Sequence, residues 1–322
     1  MEILSETFLQ ALMLCSSTSW TESIDMHCSV VVPVFNDVVA VPELLDRLFR
    51  MANGQGHEVD VIIVDDGSDE AVWQKLNCIL GNYSGRSITL IRLAHNHGQQ
   101  LATLCGLSYS AAEVIVTMDA DLQQCPEDIS ILLHMLVSRK LDVVYGIGMS
   151  GHNWLRQFLA SSYRFLSGFF GATYFEFSSF RAMSSALAHR LLEEVNTKTM
   201  SIDDGLCHLH PRHGTVHVKH EKRFHGISGY GTWELIVLIL VCGYYSPRLQ
   251  LAATRISLFL ALLAGAVYAC GSTFWSAALA MGVSIFSIIF FVACSLIVFF
   301  RKPMRFEDQV LVREIVDFKA LD

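Results

Sequence analysis

The sequence predicts an α/β protein: a mainly parallel sheet with helices on both faces, followed by an interfacial helix and a two-helix transmembrane hairpin. Three observations carry this. Short apolar, β-branched runs alternate with helical stretches through the first half of the chain, the pattern of repeated strand–helix–strand units. Polar clusters close three of those runs, at Pro33–Asp37, Asp65–Ser68 and Asp119–Gln123. Residues 256–300 contain no Asp, Glu, Lys or Arg.

The elements follow in order. The run SVVVPV makes a first strand over Ser29–Val34. A helix covers Val41–Met51, with Leu44, Leu45 and Leu48 on one face. A second strand, Val59–Val64, ends at Asp65-Asp66-Gly67-Ser68, and a helix runs from Glu70 to Leu80. The third strand is Ile88–Leu93. After Asn96-His97-Gly98 a helix continues through Ser110, and the fourth strand, Val114–Met118, stops at Asp119. In such sheets ligands bind beyond the carboxyl ends of the strands, so the three polar clusters point to one site.

The uncharged stretch is too long for one crossing of the ~30 Å hydrocarbon core. Two helices, about 249–270 and 275–300, fit it, with a turn near Gly271-Ser272-Thr273. Arg248 and Arg255 stand before the hairpin and Arg301, Lys302 and Arg305 after it, while the turn has no basic residue. By the positive-inside bias both outer ends face the cytoplasm. Trp233–Tyr245 is too short to cross and carries aromatic residues at its ends; it reads as a helix lying in the interface. The expected organisation is an N-terminal extension 1–27, a catalytic domain 28–230, an amphipathic juxtamembrane helix 231–247, the hairpin within 248–301 and a cytoplasmic tail 302–322. The expected location is a multi-pass membrane position, with the domain ahead of the hairpin on the cytoplasmic side.

Composition excludes other classes. The chain is 52% hydrophobic and 17% charged, with a net charge of −8, which argues against general nucleic-acid binding. The N-terminus lacks the basic start of a secretory signal. Nine cysteines without a C-x-x-C pair suit free thiols in a reducing compartment.

Asp119 and Asp121 lie too close in sequence to act as the separated acid and base of a hydrolase. Two carboxylates at a strand end, with the amide oxygen of Gln123 beyond them, suit Mg²⁺ or Mn²⁺ bridging a diphosphate. Alone, a D-x-D is a weak signal. Its place at the end of an apolar strand, with Asp65-Asp66 ending another, gives it weight.

The successive segments VVVPVFND, VIIVDDGSDE, HNHGQQLATLCGL and VIVTMDADLQQCPEDI resemble those of family 2 glycosyltransferases of the GT-A fold. Within them the chain is similar to the polyprenyl-phosphate sugar transferases, with support from SSFRAMS at 178–184, HEKRFHGISGY at 220–230 and the terminal hairpin. The resemblance covers residue 28 to the end. It implies a nucleotide-sugar donor (UDP- or GDP-linked), a polyprenyl-phosphate acceptor and a lipid bilayer as partners, a divalent cation as cofactor, and inversion at the sugar. Packing of hairpins between protomers would give a homo-oligomer.

The resemblance also implies roles by position. Pro33, Phe35 and Asp37 line the nucleotide pocket; Val64 and Asp66 hold base and ribose; Asp119, Ala120, Asp121 and Gln123 hold diphosphate and metal; Arg223 meets the donor phosphate. A guanidinium suits phosphate. Phe35 and Val64 read equally well as core residues, and Arg223 as a lipid-headgroup contact. Arg181 of SSFR joins the catalytic candidates. Relatives carry an arginine where YGIGMSG has Gly148; Arg156 or Arg164 takes over the acceptor phosphate. Ser178 and Ser179 stand where an acidic residue is common, so no general base is evident. A monophosphate is already anionic near pH 7 and needs positioning more than deprotonation.

Two constellations compete. The run CHLHPRHGTVHVKH could ligate a metal, but surface strands are the default reading. Asp203-Asp204 could supply a base, but an exposed turn before Gly205 is the default. A processive polysaccharide synthase is the rival enzyme, yet no Q-x-x-R-W occurs; a non-catalytic scaffold sits poorly with Asp66, Asp119, Asp121 and Arg223 all present.

Overall fold

The computed structural model describes residues 26–148, 178–198, 202–221 and 311–318. Strands β1 (His27–Val34), β2 (Glu58–Asp65), β3 (Ile88–Leu93) and β4 (Val114–Thr117) alternate with helices α1 (Val41–Gln55), α2 (Glu70–Gly81) and α3 (Gln99–Ser108). Their boundaries match the sequence pattern closely. The largest difference is at α1, which runs past Met51 to Gln55, where Gly56 closes it in the left-handed conformation at φ 75°. A single 3₁₀ turn, Pro126–Asp128, leads into α4 (Ile129–Ser138). Then come β5 (Val143–Gly148), β6 (Arg181–Ser184), α5 (Ser185–Lys198), α6 (Ile202–Leu209), β7 (His213–Val218) and β8 (Val312–Asp317).

These strands form one sheet in the order β7-β5-β6-β4-β1-β2-β3-β8. β1 pairs in parallel with both β2 and β4, and β2 with β3. Only β6 and β8 run against the rest. From β1 the chain steps through β2 to β3 on one side, then returns to place β4 on the other. The crevice between the ends of β1 and β4 is therefore a topological switch point, where open α/β sheets take their ligands.

Both faces of the sheet are covered, which explains why its strands read as near-continuous apolar runs. Because side chains alternate, Val30, Val32 and Val34 of β1 join a core with α1, α2 and α4, while Val31 joins a second core with α3, α5 and α6. Each fully buried aliphatic side chain there contributes about 1.5–3 kcal/mol.

Three sequence readings are corrected here. Residues 302–322 were expected as a tail, but Val312–Asp317 pairs antiparallel with β3 and covers that edge of the sheet. Asp203, expected in an exposed turn with Asp204, lies in α6, because Ile202 and Leu206 bury one helical face and Gly205 sits against Leu191. Cys207 and His208 lie on the same helix, not on a strand; only His213 and His217 of that run occupy β7. Among the described residues no group of three or more His, Cys, Asp or Glu is arranged to hold a metal. None of their helices is long and apolar enough to cross a membrane. The extension 1–25, the juxtamembrane helix and the hairpin lie outside the described residues.

Candidate active site

At the switch point lies a cavity of about 320 Å³ lined by Pro33, Phe35, Asp37, Asp66, Asn96, Gly98, Gln99, Asp119, Ala120 and Asp121, among others. All three polar clusters singled out in the sequence meet here. Phe35 follows β1 and is 45% exposed, an aromatic face presented at the cavity instead of the core. A second cavity of about 120 Å³ shares Pro33, Gln99 and Asp119 with the first and adds Thr117, Ser179, Arg181 and Asp203.

The turn that carries the carboxylates is held from both sides. Leu122, between Asp121 and Gln123, has φ 60° and a side chain only 2% exposed. A left-handed leucine is costly, by roughly 1–3 kcal/mol, and burial of its side chain offsets that cost. Asp119 is gripped by three side chains. Ser179 Oγ donates to its Oδ2 at 2.8 Å, Gln124 Nε2 donates to the same oxygen at 3.1 Å, and Gln99 Nε2 donates to Oδ1. The Asp119 amide donates to Gln124 Oε1 at 2.9 Å. The Gln123 amide donates to Asp121 Oδ1 at 3.1 Å. Burial, and then the neighbouring Asp121 charge, push the Asp119 carboxyl above the usual carboxylate range, against the Ser179 and Gln99 hydrogen bonds. Two crowded hard-oxygen carboxylates opening on one cavity fit a divalent cation, which would relieve that repulsion.

Asp66 is 3% exposed and latches the opposite wall. It accepts the amides of His97 and Gly98, each at 2.8 Å, and so fixes the loop that starts α3. Its neighbour Asp65 is fully buried beside Arg92, whose Nη1 lies 3.0 Å from Glu70 and whose guanidinium stacks over Trp73 at 4.8 Å. Gly67 lets these loops touch: its φ is 70°, and a Cβ there would strike the backbone carbonyl carbon of His95. Asn36, also left-handed at φ 52°, donates its amide to Ser68 Oγ at 2.8 Å and accepts from the Asp69 amide at 3.1 Å.

Arg181 is 6% exposed; its Nη1 donates to Asp203 Oδ1 at 2.7 Å, and its guanidinium lies 5.9 Å from the Tyr145 ring centroid. The turn reading of Asp203 had hidden this partner.

The structure brings Pro33, Phe35, Asp37, Asp66, Asp119, Ala120 and Asp121 together. Val64 is not among them. It is fully buried on the face that α3 covers, where strand alternation pairs it with Ile62, and it does not line the cavity. Gln123 is half-buried beside Asp121 and lines neither cavity. Arg156, Arg164 and Arg223 lie outside the described residues. Gln99, Gln124, Ser179 and Arg47, which the sequence reading missed, all support the carboxylate turn. Gln124 and Ser179 carried a faint signal in their nearness to the D-x-D and the SSFR segment.

The family model described as glycosyl transferase family 2 matches residues 29–190. The chain belongs to that family. It is 29% identical over 237 residues to the undecaprenyl-phosphate 4-deoxy-4-formamido-L-arabinose transferase of Edwardsiella ictaluri, covering 66% of this chain and 65% of that protein. With the dodecaprenyl-phosphate galacturonate synthase of Rhizobium johnstonii it shares 27% identity over 220 residues, covering 67% and 65%. The chain thus spans just under two thirds of the length of these two relatives. Among solved structures, a mannosyltransferase from Pyrobaculum calidifontis in complex with GDP-Man and Mn²⁺ matches with a TM-score of 0.50 at 17% identity, covering 91% of this chain and 92% of that chain. That likeness speaks for the fold, and it agrees with the GT-A sheet order of this family 2 glycosyltransferase.

Proposed function

We propose that this family 2 glycosyltransferase moves a sugar from a UDP- or GDP-sugar to a polyprenyl phosphate, with inversion, on the cytoplasmic leaflet of a membrane. The observation that carries this is the cavity at the β1/β4 switch point, which joins Asp119 and Asp121 to an exposed aromatic face at Phe35. The polyprenyl-phosphate substrates in the names of the relatives support the acceptor class.

In this reading Phe35 stacks on the base, and Asp119 and Asp121 would hold Mg²⁺ or Mn²⁺ and the diphosphate, with Gln123 bracing Asp121 through its backbone amide. When bound, the cation neutralises charge on the departing diphosphate. One displacement breaks the bond from sugar C1 to the diphosphate oxygen and forms a bond from C1 to an acceptor phosphate oxygen. The acceptor is already anionic, so no protein base is needed. Arg181 and Asp203 in the adjoining cavity, with Arg156 and Arg164, orient the reacting groups, and Arg223 meets the donor phosphate. The hairpin and interfacial helix hold the domain at the lipid surface, where a soluble donor meets a membrane-bound phosphate.

The test is incubation of the full chain in lipid with a panel of UDP- and GDP-sugars, undecaprenyl phosphate and Mn²⁺, followed by mass measurement of the lipid. A single sugar added to the lipid phosphate supports the reading. A growing polymer, or no product from any donor, would sink it.

A further inference from the structure

The D-x-D turn is fastened from outside by an ion-paired network that contacts neither cavity. Three consecutive residues after β7, Lys219, His220 and Glu221, lie as a strap along the segment Gln123–Asp128. The Glu221 amide donates to the Gln123 carbonyl at 2.9 Å, His220 forms an antiparallel bridge with Gln124, and the Lys219 amide donates to Asp128 Oδ2 at 3.2 Å. Gly148, at the end of β5, makes room for the strap, since a Cβ there would sit 2.8 Å from His220 Nδ1. The glycine in YGIGMSG thus has a local cause: the His220 ring fills the space a side chain would need.

Arg47 of α1 joins the two layers. Its Nε and Nη2 donate to the two carboxylate oxygens of Glu127, at 2.9 and 2.6 Å, a bidentate pair on the turn side. Its Nη1 reaches Glu221 on the strap at 3.4 Å, and Lys219 Nζ holds the same carboxylate at 2.8 Å. The Arg47 side chain is 15% exposed, whereas Glu127 and Glu221 are 50% and 33% exposed, so the guanidinium is covered while its carboxylate partners face solvent.

We infer that Arg47 is a positioning residue for the cation–diphosphate site: it clamps strap 219–221 against the turn that carries Asp119 and Asp121. This rests on the function proposed above. The path is short. Gln123 donates its amide to Asp121 and accepts the Glu221 amide at its carbonyl, so the strap and the carboxylate turn meet at one residue. Gln124, bridged to His220, is one of the three residues whose side chains grip Asp119. Groups that orient ligands without touching the metal commonly alter metal affinity by about 10–100-fold when lost.

The experiment titrates Mn²⁺ against UDP and GDP binding to the full chain in detergent, reading the apparent Mn²⁺ constant and, separately, the melting temperature. Arg47→Met is expected to raise that constant about ten-fold or more. Arg47→Lys should recover part of the loss, and Glu221→Gln, which removes only the strap arm, should shift it in the same direction. Arg212→Ala breaks an exposed pair with Asp142 outside the network and should leave the constant unchanged. If Arg47→Met does not fold, Glu221→Gln decides. Wild-type constants in the folded variants overturn the clamp. Absence of any Mn²⁺-dependent nucleotide binding in the unaltered chain overturns the proposed function, and the clamp with it.

Discussion

At the scale of single residues, the Arg47–Glu127 pair makes a pH prediction that needs no ligand. Arg47 holds the Glu127 carboxyl below its ordinary range, chiefly through their hydrogen bonds. A carboxyl lowered in the folded state adds stability above its unfolded value and loses it as pH falls through the folded one. The tie is therefore intact at neutral pH and released on the acid side. NMR titration of a labelled Glu127 should show its midpoint move up in Arg47→Met; an unmoved midpoint would contradict the pairing. Residue-scale legibility followed chain proximity. Asp119 and Asp121 could be read because both charges end one apolar strand. Gln99, Ser179 and Arg47 could not, because they reach the turn from positions 20, 60 and more residues away. Val64, which read equally well as a core residue, lies inside β2 in the core that α3 covers, whereas Asp66 stands one residue past the strand end, where the chain turns to the cavity.

At the scale of elements, β1 to β4 and their helices were legible because strands buried on both faces leave long apolar runs between polar ends. β8 was not: Val312–Asp317 reads VREIVD, too polar to declare itself, and it gains its place only by pairing with β3. α6 was hidden by Asp203-Asp204-Gly205, a turn-like triplet that becomes helical once Ile202 and Leu206 find a core. β8 covers an edge that would otherwise expose a ladder of unpaired groups. Truncation after residue 310 should lower the melting temperature by several degrees and speed amide exchange in Ile88–Leu93. Unchanged exchange there would show that β8 does not hold the edge.

For the whole molecule, the sheet order explains why three polar strand ends, with Phe35, Asp66, Asp119 and Asp121, gather at a single switch point. The described chain leaves this sheet after Glu221 and rejoins it at Leu311, so the intervening segment begins and ends on the same domain. The central claim is that Asp121 serves a cation-assisted transfer to a lipid phosphate. Its most direct test is the rate of lipid-linked sugar formation as Mn²⁺ is raised, in the unaltered chain and in Asp121→Asn. The account predicts a rate that depends on Mn²⁺ in the first and falls by at least about a hundredfold in the second, with the fold retained. Equal rates in the two, or a rate indifferent to the cation, would contradict it.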